Sequence, residues 1–135
     1  MESYIAYVED DKEDVEIFQE LFCSPSPVAV KYFTDGAQLE QHLSRAAQLP
    51  CLILLDISNP VQSGTETVRL LQQHPAYQSI PVILFSSSVK SIRLDQFQHT
   101  DVSILEKPSS LKEWEQACVL INEGCKRGQQ QKFSA

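Results

Sequence analysis

Apolar residues in this chain fall into short unbroken runs, each followed by a stretch with helical spacing. Cys51 to Leu55 is an apolar run without alternation, the pattern of a strand covered on both faces, as in a parallel sheet. Tyr4–Val8 (YIAYV) and VILF after Pro81 read the same way, and Val28–Phe33 and Val102–Leu105 complete a predicted set of five strands. Val15, Phe18, Leu21 and Phe22 predict a helix starting around Asp11 to Glu13. Ala37, Leu39 and Leu43 predict a second helix starting at Thr34 or Asp35, and Val68, Leu70 and Leu71 a third over Thr65–Gln73. A short helix is expected over Ile92–Phe97, and a last one carries Leu111, Trp114, Cys118 and Ile121 behind a Ser109 or Ser110 cap. Ser24–Pro27 reads as a loop, and Gly124–Ala135 as polar and frayed. Strands and helices that alternate in this way predict an α/β fold, doubly wound around five parallel strands.

The polar residues at the strand ends carry the candidate chemistry. Asp56 stops the third apolar run, where a buried carboxylate is costly to leave unpaired. It sits best at the carboxyl edge of the sheet, where open α/β sheets bind ligands, although an Asp here equally serves to close a loop. Acidic residues in a first helical turn suit the helix dipole, which accounts for Asp11, Glu13 and Asp14. It accounts less well for Glu9 and Asp10, at the end of the first strand. Ser86 follows strand four and Lys107 follows strand five, so three carboxylates, a hydroxyl and an ammonium are expected on one edge. Carboxylates so placed repel one another and call for a cation. A donor set of oxygens, with no His or Cys, suits Mg²⁺. One carboxylate is then free to act as a nucleophile towards phosphorus, with cations placed near the developing charge.

Composition narrows the partners. A net charge of −7 over 135 residues argues against direct nucleic-acid binding. No run approaches the ~20 apolar residues of a membrane span, and MESYIAYVEDD has no signal-peptide pattern, so a cytoplasmic protein is expected. Cys23, Cys51, Cys118 and Cys125 are scattered without a C-x-x-C pair, which leads to an expectation of reduced, structural cysteines.

Taken together, V-E-D-D at Val8–Asp11, L-L-D-I-S-N-P-V-Q-S-G at Leu54–Gly64, P-V-I-L-F-S-S at Pro81–Ser87 and E-K-P at Glu106–Pro108 resemble the response regulator receiver domain, the CheY-like family of two-component signalling. The resemblance spans roughly residues 3 to 124. It implies a flavodoxin-like (βα)5 domain of strand order 2-1-3-4-5, with the receiver at 1–126 and a polar tail at 127–135. It implies that Asp56 accepts a phosphoryl group from a sensor histidine kinase or a histidine phosphotransfer protein. Glu9, Asp10, Asp56 and the Ser58 backbone carbonyl would hold Mg²⁺, while Ser86 and Lys107 would bind the phosphoryl group. The expected output is a switched docking surface for an unknown downstream protein. The expected chemistry is a switch that assists its own Mg²⁺-dependent phosphorylation and dephosphorylation, without an external substrate.

Some positions depart from the common family pattern. Ile104 stands where an aromatic switch residue is frequent, Ser87 where Ala or Gly is usual, and Asn59 where Met is usual. Ile57 occupies a position often held by Trp. The alternative reading is a receiver-like module that docks partners independently of phosphate. A phosphatase or a small flavin protein is disfavoured, because Glu9-Asp10-Asp11 would repel phosphate and Ser58 stands where a second acid would be needed.

Overall fold

The computed structural model describes residues 3–22, 28–87 and 101–133, with side chains to Gly128. Its elements run β1 (Tyr4–Val8), α1 (Lys12–Phe22), β2 (Ala29–Phe33), α2 (Gly36–Arg45), β3 (Leu52–Asp56), α3 (Gly64–Gln72), β4 (Val82–Ser86), β5 (Val102–Glu106) and α4 (Leu111–Phe133). The five strands form one sheet of order β2-β1-β3-β4-β5, and every neighbouring pair is parallel. The unbroken apolar runs are explained by their position: β1, β3 and β4 are central and buried along their whole length, while the edge strands β2 and β5 are partly exposed.

Successive strand side chains point to opposite faces, and this divides the core in two. On one face Ile5, Tyr7, Leu52, Leu54 and Phe85 pack with Phe18 and Phe22 of α1 and with Trp114 and Ile121 of α4. On the other, Ala6, Val8, Ile53, Leu55 and Leu84 pack with Leu39 and Leu43 of α2 and Val68 and Leu71 of α3. Ile104 lies against this second cluster. Trp114 is a core residue, 5.9 Å from Phe85 and 6.4 Å from Phe18 between ring centroids.

Caps set the helix starts. The Asp35 carboxylate accepts the Gln38 N–H at 2.9 Å at the head of α2, and the Ser63 hydroxyl accepts the Glu66 N–H at 3.2 Å at the head of α3. At α4, Ser110 Oγ caps the helix by accepting the Glu113 N–H at 3.1 Å, and the Glu113 carboxylate accepts from the Ser109 and Ser110 hydroxyls.

The structure departs from the sequence reading in two places. First, α4 does not fray at Gly124 but continues to Phe133. Gly124 and Gly128 lie one turn apart on its buried side; a Cβ on Gly124 would come 3.3 Å from Leu52 Cδ1, and one on Gly128 would overlap the Cys51 carbonyl. Second, the cysteines are not all reduced: Cys51, just before β3, forms a disulfide with Cys125 of α4. Residues 74 apart in sequence give no pairing signal until the fold places α4 beneath β3. Cys118 is a free, buried thiol, and burial pushes its pKa up to about 11. Cys23, the Ser24–Pro27 loop and the helix expected over Ile92–Phe97 lie outside the described residues. Among those described, no helix is long and apolar enough to cross a membrane.

Candidate functional site

Parallel pairing brings the carboxyl ends of β1, β3, β4 and β5 to one edge, and the side chains there form a compact charged group. Glu9 and Asp10 follow β1, and each offers a carboxylate oxygen to a set with Asp56 in which all these oxygens lie within 4.8 Å of one another. Glu9 and Asp56 are buried and Asp10 is exposed, so the group opens to solvent on one side. The Glu9 N–H is fixed by the Phe33 carbonyl at 2.9 Å, which ties this end of β1 to β2.

Asp56 is the best-satisfied acid. Its Oδ1 accepts from the Ser58 N–H at 3.0 Å and the Ser58 hydroxyl at 2.9 Å, and its Oδ2 accepts from Lys107 Nζ at 3.0 Å. Burial alone would raise its pKa, but the Ser58 N–H, the Lys107 ammonium and the Ser58 hydroxyl outweigh burial and hold it below the ordinary carboxylate range. Asp56 is thus ionised at neutral pH, as a nucleophile must be.

Glu9 shows the opposite balance. Burial first, and repulsion from Asp56 second, push its pKa up to about 8 despite Lys107 and the Asp11 N–H. Its Oε1 accepts from that N–H at 3.2 Å, while Oε2 is buried and accepts no hydrogen bond. A buried oxygen without a hydrogen-bond partner, on a residue of this acidic group, is a position that a cation would satisfy. The donor set consists of oxygens alone, so the residues present fit a hard divalent cation.

Lys107 gathers the acids. Its Nζ lies 2.8 Å from Asp14 Oδ2, 3.0 Å from Asp56 Oδ2 and 3.5 Å from Glu9 Oε1. Burial would lower its pKa, but the hydrogen bonds to Asp14 and Asp56 and the charge of Glu9 more than reverse that, so it is firmly protonated. Ser86, the last residue of β4, is buried, and its carbonyl accepts the Lys107 N–H at 2.8 Å.

Of the side chains predicted from sequence, Glu9, Asp10, Asp56 and Lys107 come together at this edge, with Ser58 beside Asp56, while Ser86 is tied to Lys107 through its main-chain carbonyl. Two residues escaped the sequence reading. Asp14 was attributed to the helix dipole, yet it makes the shortest ion pair of Lys107. Asn59 is buried in the loop after β3, where its Nδ2 donates to the Thr34 carbonyl at 2.8 Å and its Oδ1 accepts from the Val61 N–H at 3.1 Å. That loop then folds back so that the Gly64 N–H donates to the Ile57 carbonyl at 3.1 Å; a Cβ on Gly64 would come 2.9 Å from Ile57 Cα, which leaves room only for glycine.

A flavodoxin-like sheet with an acidic pocket and a lysine at its carboxyl edge defines a receiver-type signalling domain. The model of the response regulator receiver domain matches residues 5–118, and the chain belongs to that family. The phosphorylated cyanobacterial phytochrome response regulator RcpA is similar, at 28% identity over 91% of this chain and 93% of that one, with a TM-score of 0.74. The bacteriophytochrome response regulator RtBRR is 29% identical over 89% of this chain and 77% of that one, with a TM-score of 0.73. A receiver domain of a putative LuxO repressor protein from Vibrio parahaemolyticus shares the fold, with a TM-score of 0.76 at 19% identity over 98% of this chain and 97% of that one. A comparison with curated proteins found no match. As a receiver domain of two-component response regulators, the chain has a general role in signalling, and such domains are switches that bind a divalent metal.

Proposed function

We propose that Asp56 accepts a phosphoryl group from a phosphohistidine of a sensor kinase or histidine phosphotransfer protein, and that the acyl phosphate switches a protein-docking surface. The observation that carries this reading is the environment of Asp56: a buried, ionised carboxylate with Lys107 Nζ at 3.0 Å, beside the acids Glu9 and Asp10 at the ligand-binding edge. The phosphorylated state of the similar RcpA supports it.

In the transfer, an Asp56 carboxylate oxygen attacks phosphorus, the O–P bond forms and the P–N bond to the imidazole breaks. The imidazole nitrogen keeps the bonding pair and takes a proton from solvent. Negative charge spreads over the equatorial oxygens. Lys107 places an ammonium beside that charge, and Ser86, at the adjoining strand end, presents a hydroxyl to the phosphoryl group. Glu9, Asp10, Asp56 and the Ser58 carbonyl would hold Mg²⁺, which supplies charge neutralisation at the phosphoryl oxygens when bound. The switch then biases the surface of β5 and α4, which follow from the strand ends that carry Ser86 and Lys107.

The test is intact-protein mass after incubation with a small phosphodonor, with and without Mg²⁺, in the native chain and Asp56→Asn. One added phosphoryl group that requires Mg²⁺ and Asp56 supports the reading. No added mass with the small donor or with phosphorylated kinase overturns it in favour of phosphate-independent docking.

A further inference from the structure

The ion pair between Lys107 and Asp14 is absorbed neither by the family motifs nor by the metal cluster. Lys107 extends from the segment after β5 on a flexible four-carbon stem, so its ammonium is only as well placed as its partners make it. Three carboxylates surround it, at 2.8 Å (Asp14), 3.0 Å (Asp56) and 3.5 Å (Glu9). Glu9 and Asp56 belong to the set able to hold a cation, and Asp14 does not. When a cation and a phosphoryl group engage Glu9 and Asp56, Asp14 is the partner left to Lys107. Asp14 also stands on the first turn of α1, a packed helix whose Phe18 is fully buried, and so is itself well anchored.

We propose that Asp14 is a positioning residue that holds the Lys107 ammonium over the phosphoryl-accepting oxygen of Asp56, an assignment that rests on the phosphoacceptor reading above. One of the three ammonium protons is committed to Asp14, and the other two remain for the transferred group. Fixing the side chain before the reaction removes the need to order it during the reaction.

The sign of the effect separates positioning from charge. Asp14→Asn removes a negative charge near an anionic donor, which by electrostatics alone speeds phosphoryl uptake. Positioning requires the reverse: at saturating Mg²⁺ the rate of uptake from a small phosphodonor falls about fivefold. It is partly restored in Asp14→Glu and unaffected by Asp14→Asn in a Lys107→Ala background. Mg²⁺ affinity stays within about twofold, since Asp14 lies outside the metal set. Uptake as fast as in the native chain, or a slowing that persists without Lys107, overturns the assignment. The ¹⁵Nζ resonance of Lys107 gives a second measure that needs no phosphorylation: it shifts in Asp14→Asn if the pair exists in solution, and an unchanged resonance overturns the proposal. A native chain that takes up no phosphoryl group sinks the phosphoacceptor reading, and the resonance then decides the pair by itself.

Discussion

The backbone N–H of Lys107 donates to the carbonyl of Ser86 at 2.8 Å, so the hydroxyl and the ammonium of the site are mounted on neighbouring strand ends joined by a main-chain bond. Truncating either side chain leaves that bond intact. Ser86→Ala should therefore stay within about 1 kcal/mol of the native stability while slowing phosphoryl uptake. Lys107→Ala should do more, because Asp14, Asp56 and Glu9 then lose the ammonium they share. We expect a loss of about 1–3 kcal/mol in urea unfolding without metal, largely recovered in Mg²⁺. A loss of the same size in Mg²⁺ would mean that the cation does not replace the ammonium.

Glu9 sets a pH dependence. Its pKa is raised from 4.5 to about 8 in the fold, so its contribution to stability is complete below about pH 4.5 and is lost as pH rises through 8. The metal-free chain should lose stability across that window, and Glu9→Gln should flatten the slope. Asp56, whose pKa is lowered, acts in the opposite sense and only in acid, below its ordinary 3.8. Calorimetric melting from pH 5 to 8 checks this. Because a cation needs Glu9 ionised, Mg²⁺ affinity should rise over the same range, with release of a proton.

Asn59 should matter to the loop rather than to the chemistry. Its bonds to the Thr34 carbonyl and the Val61 N–H brace the turn that follows Asp56. Asn59→Ala removes both bonds of a buried side chain, while the Thr34 carbonyl and the Val61 N–H sit on exposed residues that water can reach, so the cost should be about 0.5–1.5 kcal/mol. Faster amide exchange at Val61 and Gln62, with the sheet unchanged, would identify the loop as the place where that cost falls.

The sheet was legible because burial on both faces writes itself as unbroken apolar runs, and the strand ends because Asp56, Glu9 and Lys107 interrupt those runs with charge. Asp14 was not, since an acid in a first helical turn already has a sufficient local explanation. The end of α4 was hidden for a related reason. Gly124 and Gly128 are poor helix formers by propensity, and only the proximity of Leu52 and Cys51 explains why side chains are excluded there. Asn59 looked like a loop residue and is one; that it is buried follows from a contact with Thr34, 25 residues earlier.

The bridge between Cys51 and Cys125 should be worth about 2–4 kcal/mol, since it restrains the unfolded chain over 74 residues. Cys125→Ser should lose about that amount in urea unfolding, whereas the native chain kept in a dithiol reductant should match the mutant. Equal stability of all three would show that the thiols are unlinked in solution.

That bridge also divides the site by connectivity. Residues 51 to 125 form a closed covalent ring, and Asp56, Ser86 and Lys107 are all threaded on it, while Glu9, Asp10 and Asp14 hang on the free amino-terminal arm. Unfolding can scatter the second group as far as the open arm reaches but can separate the first only as far as the closed ring allows. Assembly of the pocket is then the docking of an acidic arm onto a ring that never fully lets go of its carboxylate, hydroxyl and ammonium.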